Sequence, residues 1–213
     1  MTADGRIERA RLLYEQAVFG GDADAVAAGE RELDAVEADL ALARGRLVHA
    51  RFLTDRREDP RELGLFERAA ELYRKLGDER GEAEALFWIG CFHQVVREDD
   101  AAAVPALEES HRKAVRVGDP LTASYALRHL AFADQKAGRL DSAWERMAES
   151  TRLRREIGFL PGVAANLLGL ATIAAEQGRR DEARKLLDEA DSTATAARAD
   201  GILRFIRQAK ADL

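Results

Sequence analysis

The chain repeats itself. Three segments align without strain: ALFWIGCFHQVVREDDAAAVPALEES from Ala85, ALRHLAFADQKAGRLDSAWERMAES from Ala126 and NLLGLATIAAEQGRRDEARKLLDEA from Asn166. Leu86, Leu127 and Leu167 correspond, as do Ile89, Leu130 and Leu170, each of the latter followed by a small residue, Gly90, Ala131 or Ala171. Further on, Ala103, Ala143 and Ala183 match, and then Leu107, Met147 and Leu187. The steps are 40 or 41 residues, with a one-residue insertion near Asp99 and Asp100. A unit of this length makes two helices, and a helix pair cannot bury its apolar face alone. Neighbouring pairs must stack in register. Small residues at matched places let the two helices of a pair approach, and the flanking leucines fill the groove beside that contact.

Composition agrees with helix and offers nothing for a sheet. Apolar residues make up 46% of the 213 and aromatic ones 6%, Ala, Leu, Glu and Arg are abundant, and prolines number four. These residues lose little freedom in a helix, and no stretch alternates with period two. Glycine and aspartate punctuate the chain: Gly77-Asp78, Gly118-Asp119-Pro120 and Gly158 fall between pairs, Gly138 and Gly178 within them. Gly ends a helix in the left-handed conformation, Asp caps free amides at a start, and Pro suits a first helical position. Helices are expected at about 4–19, 22–37, 39–56, 60–76, 79–97, 100–117, 120–137, 140–157, 161–177 and 180–198, with a short capping helix at about 201–211.

This pattern resembles tetratricopeptide repeats of the longer, roughly 40-residue bacterial type. The likeness covers Glu82 to Arg198. The segment Leu40 to Asp78 matches through Phe66, Ala69, Tyr73, Leu76 and Gly77, but His49 stands where Gly or Ala is expected and Glu62 where the second helix should carry Ala. The first pair, Ile7 to Glu37, agrees in helix length and in its Gly20-Gly21-Asp22 turn. The resemblance implies an all-α, right-handed superhelical solenoid of about five antiparallel helix pairs plus a carboxy-terminal cap. It would be a single domain over 1–213, with its clearest repeats at 79–118, 119–158 and 159–198 and the cap at 199–213.

In this resemblance the first helices build a concave surface along which ligands lie. Phe87, Cys91 and Gln94 of one pair, Arg128, Phe132 and Gln135 of the next, and Leu168, Thr172 and Glu176 of the last would face it. Phe87 and Phe132 could anchor a peptide and Arg128 could clamp a carboxylate; the same aromatics would serve equally as inter-repeat core. The family's full two-carboxylate clamp set is not found. His93 and Asp134 hold equivalent positions in adjacent first helices and could meet as a proton-transfer pair or as a satisfied polar contact. Cys91 lacks a neighbouring His on its helix face and reads as a small hydrophobe. His49, His93, His111 and His129 form no i, i+4 pair and no HExxH arrangement, so no metal site is expected.

A formal charge of −6 with both signs interspersed disfavours nucleic acid as partner. A single cysteine permits no internal disulfide, no apolar segment is long enough for a membrane span, and the charged stretch Met1 to Glu15 is not a signal segment. A cytoplasmic chain without cofactor is expected. The leading function is an adaptor or regulatory module that binds a protein or peptide segment. The alternative is an enzyme or small-molecule binder with a polar pocket around His93, Asp134 and Arg128. Self-association is a further candidate, through Ile202-Leu203 and Phe205-Ile206 if the cap leaves them exposed.

Overall fold

The structure, a computed structural model, describes residues 2–213; Met1, the first residue of the expected 1–213 span, lies outside them. Ten helices follow one another: α1 (Ala3–Gly20), α2 (Asp24–Asp55), α3 (Glu62–Leu76), α4 (Glu79–Val95), α5 (Asp100–Arg116), α6 (Pro120–Lys136), α7 (Leu140–Glu156), α8 (Leu160–Glu176), α9 (Arg180–Ala196) and α10 (Asp200–Asp212). Among the described residues there is no strand. Each helix packs on the next, and α2, α4, α6, α8 and α10 also neighbour one another in succession. The result is a superhelical solenoid of helix pairs, with first helices in one layer and α5, α7 and α9 in the other.

The 40-residue register is visible in the helices. From α4 to α9 every helix has 17 residues. Ala103, Ala143 and Ala183 are fully buried, and so are Ala131, Leu107 and Met147. Gly90 shows why the small residue is needed: a Cβ there would lie 2.6 Å from Leu107 Cγ and 3.2 Å from the Ala103 carbonyl oxygen. Second helices are also tied to first ones by buried hydroxyls. Ser110 donates to the Ala83 carbonyl at 2.7 Å, and Ser150, 40 residues on, donates to the Ser124 carbonyl at 2.6 Å.

The helix ends follow the expected chemistry. Gly118 and Gly158 take φ of 64° and 71° just past their helices, a region that costs other residues steric strain. Asp78, Asp99 and Asp119 each accept a backbone amide of the first turn that follows.

One junction is absent. The expected helices at 22–37 and 39–56 are a single 32-residue helix, α2. Residues 36 to 43 read VEADLALA, with neither Gly nor Pro to stop a helix. Asp39, the only residue there that could cap a new start, instead accepts the Tyr73 hydroxyl at 2.8 Å. At the other end, α10 packs on α9 and α8 as the first helix of a further pair would. Its Leu203 and Ile206 are buried, while Phe205 is exposed.

Candidate functional site

Side chains on the first-helix layer fall into three groups: bridges between neighbouring helices, a buried polar cluster, and the walls of one large cleft. Most residues expected to line a groove are bridges. Gln94 donates to Asp100 Oδ1 at 2.9 Å and to the His129 carbonyl at 3.0 Å, and its own Oε1 lies 2.7 Å from His129 Nδ1. Arg128 lies over Phe132, 4.6 Å from the ring centre, and its Nη1 donates to the Ala165 carbonyl and to Asn166 Oδ1, each at 2.8 Å. Gln135 donates to Glu176 at 2.7 Å. Thr172 is exposed and turns its hydroxyl back to the Leu168 carbonyl, and Leu168 and Phe132 pack against the core. Gln94 and Phe132 edge a recess of about 220 Å³ shared with His129 and Lys136.

His93 and Asp134 are not brought together. The buried Asp134 carboxylate is taken by Arg139 at 2.7 Å, Ser142 at 2.6 Å and Arg146 at 3.2 Å. The His93 ring rests edge-on against its neighbour Phe92.

The two departures from the repeat pattern, His49 and Glu62, meet each other. His49 Nδ1 lies 2.7 Å from Glu62 Oε1, and both side chains are buried. On its other side His49 Nε2 lies 3.7 Å from Cys91 Sγ. Thiol, imidazole and carboxylate thus stand in the order of a nucleophile, base and orienting group. Chemistry at the sulfur is nonetheless suppressed, because burial, followed by the nearby Glu62 carboxyl, pushes the Cys91 thiol up to about 12. A thiol so held does not supply a thiolate near neutral pH. The cluster is a polar plug between pairs: Trp88 packs edge-on against His49 at 5.4 Å and flat against Phe66 at 5.5 Å.

The cleft, of about 920 Å³, opens at the amino-terminal ends of α4, α6 and α8. Phe87, Trp88, Tyr125 and Phe159 form its aromatic wall, with Phe87 5.1 Å from Trp88 and 5.2 Å from Tyr125. Arg46 from α2 and Arg80 from α4 stand at its rim, Arg46 paired with Glu84. Asp119, also at the rim, is occupied as the cap of α6. Of the expected groove residues, Phe87 alone lines this cleft.

Beneath the aromatic wall lie two cations with no acid beside them. Arg154 is 2% exposed, lies 4.7 Å from the Tyr125 ring centre and 5.6 Å from that of Phe159, and donates to the Gly162 carbonyl and to Asn166 Oδ1. Arg128 shares that same Asn166 oxygen. Neither forms an ion pair among the described residues, and Arg154 Nη2 is buried without a partner. Burial lowers the Arg154 pKa to about 10. Burial and then the Arg154 charge lower that of Arg128 to about 9. Both stay charged at neutral pH, and an uncompensated positive field stands behind Tyr125.

Sequence periodicity could not find the cleft, because its walls come from junctions as well as helices. Asp119, Pro120, Ile157, Gly158 and Phe159 lie at the turns into α6 and α8. No family model matches the chain, and neither does any curated protein. Among the described residues no group of three or more His, Cys, Asp or Glu side chains is placed to hold a metal ion. No helix is long and apolar enough to cross a membrane.

Proposed function

We propose that the chain is a tetratricopeptide-like interaction module, one domain over 1–213, that binds a protein segment carrying an apolar anchor and an acidic side chain. The observation that carries this is the aromatic cleft lying over Arg154 and Arg128. An apolar or aromatic side chain of the ligand would stack on Phe87, Trp88 and Tyr125, where large rigid rings give binding area at low entropic cost. A carboxylate would meet Arg80 and Arg46 at the rim and the field of the buried Arg154 and half-buried Arg128 guanidiniums behind it. The bridges at Gln94, Arg128 and Gln135 hold neighbouring first helices at fixed spacing, so they keep the cleft open rather than touch the ligand. A longer segment would run on toward Phe132, Leu168 and Thr172.

Panning a random-peptide library on the full chain, with hits titrated by the fluorescence of Trp88 in a Trp144→Phe background, tests this. Enriched peptides should combine an apolar residue with Asp or Glu. Their affinity should fall at least about tenfold, roughly 1.4 kcal/mol, in Arg80→Glu and in Tyr125→Ala. Peptides enriched without an acidic residue, or bound by both variants as tightly as by the wild type, would place the ligand elsewhere.

A further inference from the structure

Along α2, Val26, Leu33, Leu40 and Leu47 recur every seven residues and are 48–65% exposed. Ala43, Ala50 and the 51%-exposed Leu53 extend the same outward face. A seven-residue repeat held over this length forms one stripe along a helix, the pattern of a seam against another helix. The opposite face, with Ala35, Ala38, Ala41, Leu42 and Val48, is already buried within the chain.

The stripe is bare because of how the solenoid begins. In α4, Gly81 lies beneath Tyr73 of the preceding second helix, and Ala85 is fully buried. The residues 41 positions earlier in α2 are Leu40 and Arg44, and both are exposed. The preceding helix that should cover them is the first half of α2 itself, running in line instead of alongside. Helix α1 packs at Gly29 and leaves Ile7, Tyr14 and Val18 exposed.

We propose that this face pairs with the same face of a second copy of the chain, with the two α2 helices antiparallel. Charge sets the direction. Glu30, Glu37, Arg44 and Arg51 each follow a stripe residue by four positions, so they line one edge of the stripe, acidic in the first half and basic in the second. All four are exposed; Glu37 also holds Arg68, while Glu30, Arg44 and Arg51 form no ion pair among the described residues. Antiparallel pairing brings Glu30 to Arg51 of the second copy and Glu37 to its Arg44. A parallel pairing, at the same offset of five residues, would set Glu37 near Glu32 and Arg51 near Arg46, like against like, and only Arg44 near Asp39 as opposites. From Val26 to Leu47 the stripe runs about 32 Å, and with α1 beside it, each helix about 10 Å across, some 600 Å² per copy is covered. The total of about 1,200 Å² reaches the size of a specific interface.

Sedimentation velocity on the full chain over a concentration series, with short-span bis-maleimide cross-linking, tests the proposal. The wild type should sediment as a dimer. Leu40→Glu/Leu47→Glu should sediment as a monomer with an unchanged far-UV circular dichroism spectrum. A mixture of Glu30→Cys and Arg51→Cys chains should cross-link into heterodimers, while either variant alone should not. A wild type that is monomeric throughout, a dimer that survives the double Leu substitution, or cross-linking of Glu30→Cys to itself would overturn it.

Discussion

Replacing His49 and Glu62 by leucine, singly and together, asks whether two irregular residues have become one unit. Glu62 is 0% exposed, its Oε2 has no hydrogen-bond partner, and its Oε1 has His49 Nδ1 alone. His49→Leu therefore strands a buried carboxyl, a loss of about 3–5 kcal/mol by comparison with broken buried pairs. Glu62→Leu removes the carboxyl and leaves the imidazole short of its 2.7 Å bond, a loss of about 1–3 kcal/mol. The double variant puts two apolar side chains of similar volume in contact and should lie within about 1 kcal/mol of the wild type. The double-mutant cycle should then return a coupling of at least ~3 kcal/mol. Urea unfolding followed by far-UV circular dichroism reads it directly, with an unchanged m value showing that the same surface is exposed in each variant. Additive losses, or a His49→Leu loss below about 1 kcal/mol, would refute the claim that the pair is isolated and interdependent.

Gly90→Ala should destabilise by about 1–2 kcal/mol in the same assay: the added Cβ meets Leu107 at 2.6 Å, and overpacking outweighs the gain in helix propensity. Less-than-additive loss in Gly90→Ala/Leu107→Ala would locate the clash, and a stabilised Gly90→Ala would refute it. Asp39→Pro should cost about 3 kcal/mol or more beyond Asp39→Ala, because position 39 is inside a continuous helix; equal losses would mean that the chain breaks at 38 after all. His129 is held down to about 3 by burial, then by the Arg128 and Arg154 charges, with a smaller contribution from His49. Between pH 6.5, its ordinary value, and about 3 the unfolded chain binds the extra proton, so stability is complete above that window and falls as pH falls. The slope contributed is at most ~1.4 kcal/mol per pH unit, and His129→Phe should flatten the profile by that share; an unchanged slope counts against a neutral His129.

What the sequence disclosed and what it hid divide along physical lines. Matched small residues such as Gly90, Ala131 and Ala171, with Leu107, Met147 and Leu187 opposite them, are local consequences of close helix approach, and they identify the stacking from sequence alone. Helix ends at Gly77, Gly118 and Gly158 carry their own backbone signal. The merger of two helices into α2 was harder to see, because Asp39 looks like a cap unless Tyr73, 34 residues away, is known to claim it. His49 and Glu62 stood out singly as departures, but their meeting with Cys91 depends on three different helices. Arg128 looked available for a ligand carboxylate; its Nη1 is turned to Ala165 and Asn166, a partner set that no spacing rule supplies. The aromatic cleft was obscured because Tyr125 and Phe159 sit where first helices begin, away from the matched core positions that make the repeats recognisable.

The unbroken α2 also has a mechanical consequence. At 32 residues and 1.5 Å each it is a strut about 48 Å long, spanning the boundary that every later pair crosses by a turn. The later boundaries between pairs are turns, at Gly118 and Gly158, whereas α2 has no turn within it. Arg46 is carried on this strut and Phe159 on the turn into α8, so the two sides of the cleft rest on different supports. The width of the mouth is therefore set by the bridges between α4, α6 and α8 on one side and by the length of a single helix on the other.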